Sequence, residues 1–411
     1  MIIKDFYEKN IVLFGGSNSV ATYGIRRGLQ AHSNLINLAL GKTTSVQNLY
    51  ELVRDRNQDY IKNADLIVTE SNLNEIRSHA GYIDLPLHLI ALHIQWFYEK
   101  LSTYNKPVCI VILPYWDKDF EKINNIHRYF GNLYGFNIVD MHDYYEKNDL
   151  REFGEKLDKA HQLKAIMNKL GKNIAKNIDS FKKPKENISS CKLPDLKILF
   201  ARDMQAHGDF KVFNPKNSLF KEEVYRLENE NYLTIPKEYN GYKIIAIHSW
   251  NLEESGSLNS KDWDYGILHR GSITVGNENN QVRKAAGTYN QMYAINSELI
   301  IEDDFVIKQT KEYIKASEIS IIDRLIFEEH FYSSYFDLVS LFVCSNYNTK
   351  DFLDLDIIPM DEVIKIHPEL DFTHLVPDVE FFKDCLDFME EYFEFLKPKI
   401  KEYIQSELFQ K

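Results

Sequence analysis

The sequence is poor in the residues that build metal or disulfide scaffolds. Its 411 residues hold four cysteines, Cys109, Cys191, Cys344 and Cys385. They lie far apart and form no C-x-x-C pair, which argues against a zinc ribbon or a disulfide framework and leaves reduced thiols as the expectation. Long apolar runs are missing too. No segment approaches the roughly 18 apolar residues of a membrane span, and the opening MIIKDFYEKN has no apolar signal core. No membrane span and a cytoplasmic location are expected. Basic residues are in the minority, 49 against 61 acidic ones, for a net charge of −12. Nucleic acids and anionic membranes need a basic face, so no nucleic-acid partner is expected. Residues 15–20, GGSNSV, supply neither G-x-G-x-x-G nor G-K-[ST], so they cradle neither a dinucleotide nor a nucleoside triphosphate.

What is present points to a globular protein of two or three domains. Hydrophobic residues make up 44% and charged residues 27%, an ordinary balance. The 25 Tyr and 25 Phe suit β-structure or sugar-stacking surfaces, and equally a plain compositional bias. Residues 1–178 alternate short apolar runs with amphipathic ones: strands over 10–14, 34–40, 64–70, 108–113 and 137–141, helices over 20–30, 45–56, 86–104, 120–135 and 161–178. Five such units predict an α/β fold, a three-layer, doubly wound, mostly parallel sheet. Residues 179–195 carry two prolines and many lysines and read as a linker. Residues 196–315 hold short strands between Gly, Asn and Asp turns, predicting a β-rich, sandwich-like domain. Residues 316–411 read as mixed to helical. The stretch 325–346 is ambiguous between strand and helix, and 377–408 is a helix whose stripe of Phe382, Cys385, Met389, Tyr392 and Leu396 suits core or domain packing.

The chemistry centres on Ser17, in LFGGSNS where the first strand ends. Ligands of such sheets sit at the carboxyl ends of the strands. Ser17 reads either as a helix N-cap or as a nucleophile. At the other end of the domain, LDKAHQL places Asp158 three residues before His161. At that spacing a carboxylate can orient an imidazole whose other nitrogen faces a serine.

With these residues in this order, the segment 8–178 resembles the SGNH (GDSL-like) hydrolase family, in which a G-D-S nucleophile near the N-terminus pairs with a C-terminal D-x-x-H. The resemblance implies an SGNH/flavodoxin-like sheet and gives Ser17 the role of nucleophile, His161 that of base and acid, and Asp158 that of its orienter. NLALG implies Gly41 as a backbone oxyanion donor beside Ser17. In LIVTESNLNE, Glu70 and Asn74 fit the family's third block, with Glu75 in place of Asp; Asn74 is then the side-chain oxyanion donor and Asn72 its competitor. Two departures stand out: Gly16 replaces the usual Asp, and the third-block glycine is missing.

The reaction implied is an esterase of SGNH type removing an O-acyl group, an O-acetyl group above all, from a carbohydrate, with no cofactor and no metal. A glycan or small-molecule ester would be the partner. An O-acyltransferase of surface-polysaccharide synthesis using the same triad is the alternative, and an inactive glycan-binding or assembly protein a third reading. Trp116 and His142, after the fourth and fifth strands, fall on the catalytic edge. Trp250 and Trp263 lie in a polar stretch suited to sugar recognition. His142 reads as either a pocket or a surface-loop residue. Asp203, His207 and Asp209 carry no fixed metal geometry.

Overall fold

In a computed structural model of the chain, residues 9–80, 85–156, 158–252, 270–287, 290–310, 317–319, 334–345 and 352–408 are described, residues 270 and 402–408 by their backbone alone. The first unit is a parallel sheet of β1 (Asn10–Gly15), β2 (Asn34–Asn37), β3 (Leu66–Glu70), β4 (Val108–Ile112) and β5 (Asn137–Asp140). Its order is β2-β1-β3-β4-β5. Each apolar run serves both faces at once. Ile11, Leu13, Val68 and Val139 enter one core cluster, while Val12, Phe14, Ile67 and Ile138 enter the other. That is why the strands read as continuous apolar runs, as in any sheet covered on both sides.

The connecting helices are α1 (Ser17–Val20), α2 (Ile25–Gln30), α3 (Ser45–Val53), α4 (Gln58–Lys62), α5 (Asn72–Ala80), α6 (Leu87–Ser102), α7 (Phe120–Tyr134), α8 (Met141–Lys147), α9 (Arg151–Lys156) and α10 (Lys164–Lys176). Helices α2 and α10 touch backbone to backbone. A β-carbon on Gly28 would fall 2.1 Å from the Asn168 carbonyl oxygen, and one on Gly171 would fall 2.4 Å from that of Ile25. These helices follow Ser17 and His161 respectively, so the glycine contact draws the two ends of the unit together.

The second unit is a β-sandwich. One sheet runs β16 (Glu318–Ile319), β13 (Gln281–Gly287), β12 (Arg270–Gly276), β15 (Val306–Gln309), β10 (Tyr232–Thr234), β7 (Gln205–His207). The other runs β14 (Asn290–Ala294), β11 (Lys243–Trp250), β17 (Tyr335–Cys344), β9 (Val224–Glu228), β8 (Lys211–Phe213), with β6 (Leu196–Phe200) also on β17. Ile273 and Val275 of one sheet share a core with Ile247, Leu338 and Leu341 of the other.

The chain does not divide where its composition suggests. The ambiguous stretch contains β17, which lies mid-sheet between β11 and β6/β9, so a boundary at residue 315 would cut the sandwich. Nor are residues 179–195 a loose linker. The Lys182 N–H donates to Asn137 Oδ1 at 2.9 Å, and the Ser190 N–H to Glu99 Oε2 at 2.7 Å. The outer face of the sandwich packs on the helical layer of the first unit. Ala246, Met292 and Phe342 join the cluster that holds Leu49 and Phe97. Buried Tyr50 hydrogen-bonds His248 Nδ1 at 3.0 Å and Ser340 Oγ at 2.9 Å, and Arg54 makes a bidentate pair with Glu222 at 2.8 Å.

Beyond the sandwich the chain returns to the first sheet. The Ile138 N–H donates to the Leu370 carbonyl and the Phe372 N–H to the Ile138 carbonyl, both at 2.8 Å. Phe372, Leu375, Val376 and Val379 complete the core beside Val139. The final helix, α11 (Val379–Leu408), packs through Phe382 and Leu386, but Met389 and Tyr392 of the expected packing stripe are exposed.

Candidate active site

The chain order β2-β1-β3 reverses direction between β1 and β3, the place where sheets of this type open a crevice at their carboxyl edge. Ser17 stands there, in the first turn of α1. Glu70, the last residue of β3, anchors that turn from below: its Oε1 accepts the N–H groups of Gly16 and Ser19, each at 3.0 Å. Burial pushes the Glu70 carboxyl up to about 7, against the pull of those N–H groups.

His161 lies on the loop before α10. Asp158 shapes that loop by accepting the backbone N–H of Ala160 at 2.8 Å and of His161 at 3.2 Å through Oδ1. Its Oδ2 accepts the His161 Nδ1–H at 2.7 Å. A carboxylate only accepts, so this bond puts the ring proton on Nδ1 and turns the Nε2 lone pair outward. That nitrogen is 2.9 Å from Ser17 Oγ. Partial burial raises the Asp158 pKa, but the His161 ring and the Ala160 N–H outweigh it and hold the carboxyl below its usual range. His161 and Asp158 are about half exposed, at 46% and 52% of their side chains, so the array faces solvent.

Asn18, which the sequence reading did not single out, locks the two loops together. Its Nδ2 donates to the Ala160 carbonyl at 3.0 Å, and its Oδ1 accepts the Gln162 N–H at 3.1 Å. The residues on both sides of His161 are thereby fixed to the neighbour of Ser17. Nothing in the local sequence signals this, because the partners are 142 and 144 positions away.

The loop after β2 brings Gly41 alongside: a β-carbon on Gly41 would sit 3.8 Å from Ser17 Cβ. One backbone conformation and three hydrogen bonds define this loop. Lys42 adopts the left-handed conformation at φ 60. Thr43 Oγ1 donates to the Leu40 carbonyl at 2.6 Å. Asn74 Nδ2 donates to the Thr43 carbonyl at 2.8 Å. Gln291, from the sandwich, donates to the Lys42 carbonyl at 2.8 Å. Beneath it, Glu75 Oε1 accepts the Ser45 N–H and hydroxyl at 2.9 and 2.5 Å, and its Oε2 meets His127 at 3.1 Å. Burial opposes ionisation of Glu75, but the His127 and Ser45 contacts prevail and lower its pKa.

The two asparagines have separate places. Asn74 lies against Gly16, next to Ser17. Asn72 points away: its Nδ2 donates to the Leu113 carbonyl and to Asn124 Oδ1, both at 2.8 Å, while its Oδ1 accepts the Leu113 N–H at 3.0 Å. Asn72 is thus a buried tie between α5, β4 and α7, and does not line the site.

Trp116 and His142 are likewise not open binding surfaces. Trp116 is buried against His142, with ring centroids 5.2 Å apart, and its indole N–H donates to Glu146. Gly154 of α9 closes over it, leaving 3.0 Å between a built β-carbon and the ring. His142 is 1% exposed, and burial pushes its pKa down to about 3, so the ring is neutral. Trp250 is partly buried at the end of β11, beside Asn290. Trp263 lies outside the described residues. His207 is stacked on Tyr232 at 4.5 Å and bonded to Thr234 at 3.0 Å. Among the described residues no group of three His, Cys, Asp or Glu side chains is placed to hold a metal, and no helix is long and apolar enough to cross a membrane.

No family model matches the chain, and no curated protein matches it. Among solved structures it is similar to the lipase Lip_vut3 from a goat rumen metagenome, at 14% identity over 42% of this chain and 98% of that one, with a TM-score of 0.32.

Proposed function

We propose that the protein is a serine esterase of SGNH type in which Ser17 is the nucleophile, His161 the general base and acid, and Asp158 its orienter. The observation that carries this reading is the chain of two hydrogen bonds, Ser17 Oγ to His161 Nε2 at 2.9 Å and His161 Nδ1 to Asp158 at 2.7 Å. The Ser17 hydroxyl attacks the acyl carbon as its proton passes to His161 Nε2. The ester C–O bond then breaks, and His161 returns the proton to the leaving alkoxide. Water repeats the sequence on the acyl-enzyme and releases the acid. The Ser17 and Gly41 N–H groups and the Asn74 amide serve the tetrahedral oxyanion. Each such donor is worth about 3–4 kcal/mol in the transition state. No step requires a cofactor or a metal.

The half-exposed array suits an ester on a large alcohol, and water is the acyl acceptor in this reading. An O-acetylated carbohydrate is the substrate class proposed. It rests on the sandwich that braces the Gly41 loop through Gln291 and carries the partly buried Trp250 at the end of β11. Turnover of a small aryl acetate tests the chemical core. Ser17→Ala should lower kcat by about three orders of magnitude or more, and a fluorophosphonate should label Ser17 alone. Full activity in Ser17→Ala would end the proposal.

A further inference from the structure

Among the described residues, nothing covers a large apolar face of helix α11. Phe381, Phe388, Met389, Tyr392, Phe393, Phe395 and Ile400 account for seven of the thirteen large apolar side chains exposed among the described residues. At about 100° per residue, these positions and Cys385 fall within one half of the helix circumference. Such a broad stripe normally faces a core. Among the described residues the helix is held near its start, through Phe382 and Leu386 at one edge of the stripe, and by ion pairs on the opposite side. Lys156 reaches Glu390 at 2.7 Å and Asp387 at 3.8 Å, and Lys169 lies 5.8 Å from the Phe382 ring. From Phe388 on, this half leaves Phe388, Met389, Tyr392, Phe393, Phe395 and Ile400 exposed.

The charges on the helix indicate what covers that face. Residues 384–394 contain five acids, Asp384, Asp387, Glu390, Glu391 and Glu394, and no base, whereas Lys397, Lys399 and Lys401 follow directly. An anionic lipid surface would be repelled by the first half. Two helices side by side in parallel would align acid with acid and lysine with lysine. Two antiparallel helices would match them.

We infer that α11 pairs with α11 of a second copy of this chain, antiparallel, crossing near Phe395, so that Glu391 of each copy lies beside Lys399 of the other and the phenylalanine faces bury one another. The pairing is independent of the esterase reading. It also leaves both active sites free, since the helix meets the first unit through α9 and α10, while Ser17 and Gly41 lie at the carboxyl edge of the sheet.

The test is light scattering of the full chain at tens of micromolar, with cross-linking. A dimer is expected, and Phe388→Glu with Phe395→Glu should be monomeric yet folded and fully active, because among the described residues the two rings meet only their helix neighbours Tyr392 and Lys399. Cys385 reports the direction. It is exposed and lies ten residues before Phe395, so at 1.5 Å per residue an antiparallel pair holds the two thiols roughly 30 Å apart, too far for a disulfide. Mild oxidation should therefore not link Cys385 to Cys385, while Phe395→Cys in a Cys385→Ser background should link copies efficiently. A monomeric wild-type chain, a dimer that survives both glutamates, a Cys385–Cys385 disulfide, or a monomer that sediments with phosphatidylglycerol vesicles would each overturn the inference.

Discussion

Gly16 and Asn74 occupy almost the same space: a β-carbon built on Gly16 would fall 1.9 Å from Asn74 Nδ2. The family that the motifs resemble usually carries Asp where this chain has Gly16. The structure gives a reason for the departure, because any side chain at 16 would push the Asn74 amide away from the turn that carries Ser17. Backbone conformation is not the obstacle, since Gly16 has φ −98. Gly16→Ala should therefore leave the fold intact and lower kcat for an aryl acetate about 100-fold, through loss of one oxyanion donor, with KM little changed. Gly16→Asp should do at least as much. Wild-type kcat in Gly16→Ala would show that Asn74 plays no part in the reaction.

Asn72 and Asn74 make a paired comparison. Asn74→Ala should cost about 100- to 1000-fold in kcat with modest loss of stability. Asn72→Ala strands the Leu113 N–H and carbonyl and the Asn124 side chain, all buried. At about 1–3 kcal/mol for each unsatisfied group, it should lower the melting temperature sharply while the folded fraction keeps its turnover. Equilibrium unfolding and kcat measured on the same samples separate the two outcomes. The reverse pattern would exchange their roles.

The parallel sheet was legible because its strands are short apolar runs between amphipathic helices, and Ser17, Asp158 and His161 stood out by their order and spacing. The rest was hidden for physical reasons. Helix α5, NLNEIRSHA, buries Asn72, Asn74, Glu75 and His79 alongside Leu73 and Ile76, so polar and apolar residues are buried together and no hydrophobic period announces it. Strand β17 is buried along its whole length, which removes the alternation that would distinguish strand from helix. Trp116 and His142 fall on a strand edge, where exposure is the natural expectation, yet α9 covers them with Gly154. The strap over 352–379 returns to β5 from more than 200 residues away, beyond the reach of any local pattern.

Glu70 should make stability depend on pH. Burial raises its folded pKa from 4.5 to about 7. The native state therefore keeps a proton that the unfolded chain releases from about pH 4.5 upward. The contribution is full below that pH, declines as pH rises, and is lost above about pH 7, a change on the order of 3 kcal/mol. Glu70→Gln keeps an oxygen to accept the Gly16 and Ser19 N–H groups and cannot ionise. Urea unfolding between pH 4.5 and 7.5 should show wild-type stability falling across this window relative to Glu70→Gln. Parallel curves for the two proteins would mean that Glu70 is ionised throughout.

The strap makes a prediction about where the chain can be cut. Phe372, Leu375, Val376 and Val379 are buried with Val139, and Phe372 stacks on Phe181 with ring centroids 4.6 Å apart. The same segment supplies both hydrogen bonds to Ile138 on the open edge of β5. Four buried apolar side chains at about 1.5–3 kcal/mol each amount to much of the roughly 5–15 kcal/mol that holds a domain together. A chain ending at residue 351 should therefore aggregate or melt far below the intact protein, although it retains Ser17, Asp158, His161 and the whole sandwich. A chain ending at residue 386 keeps the strap with Phe382 and Leu386. It should melt close to wild type and hydrolyse aryl acetates normally. Thermal melts and turnover of the two truncations decide the point: equal stability for both would mean that the strap only decorates the sheet.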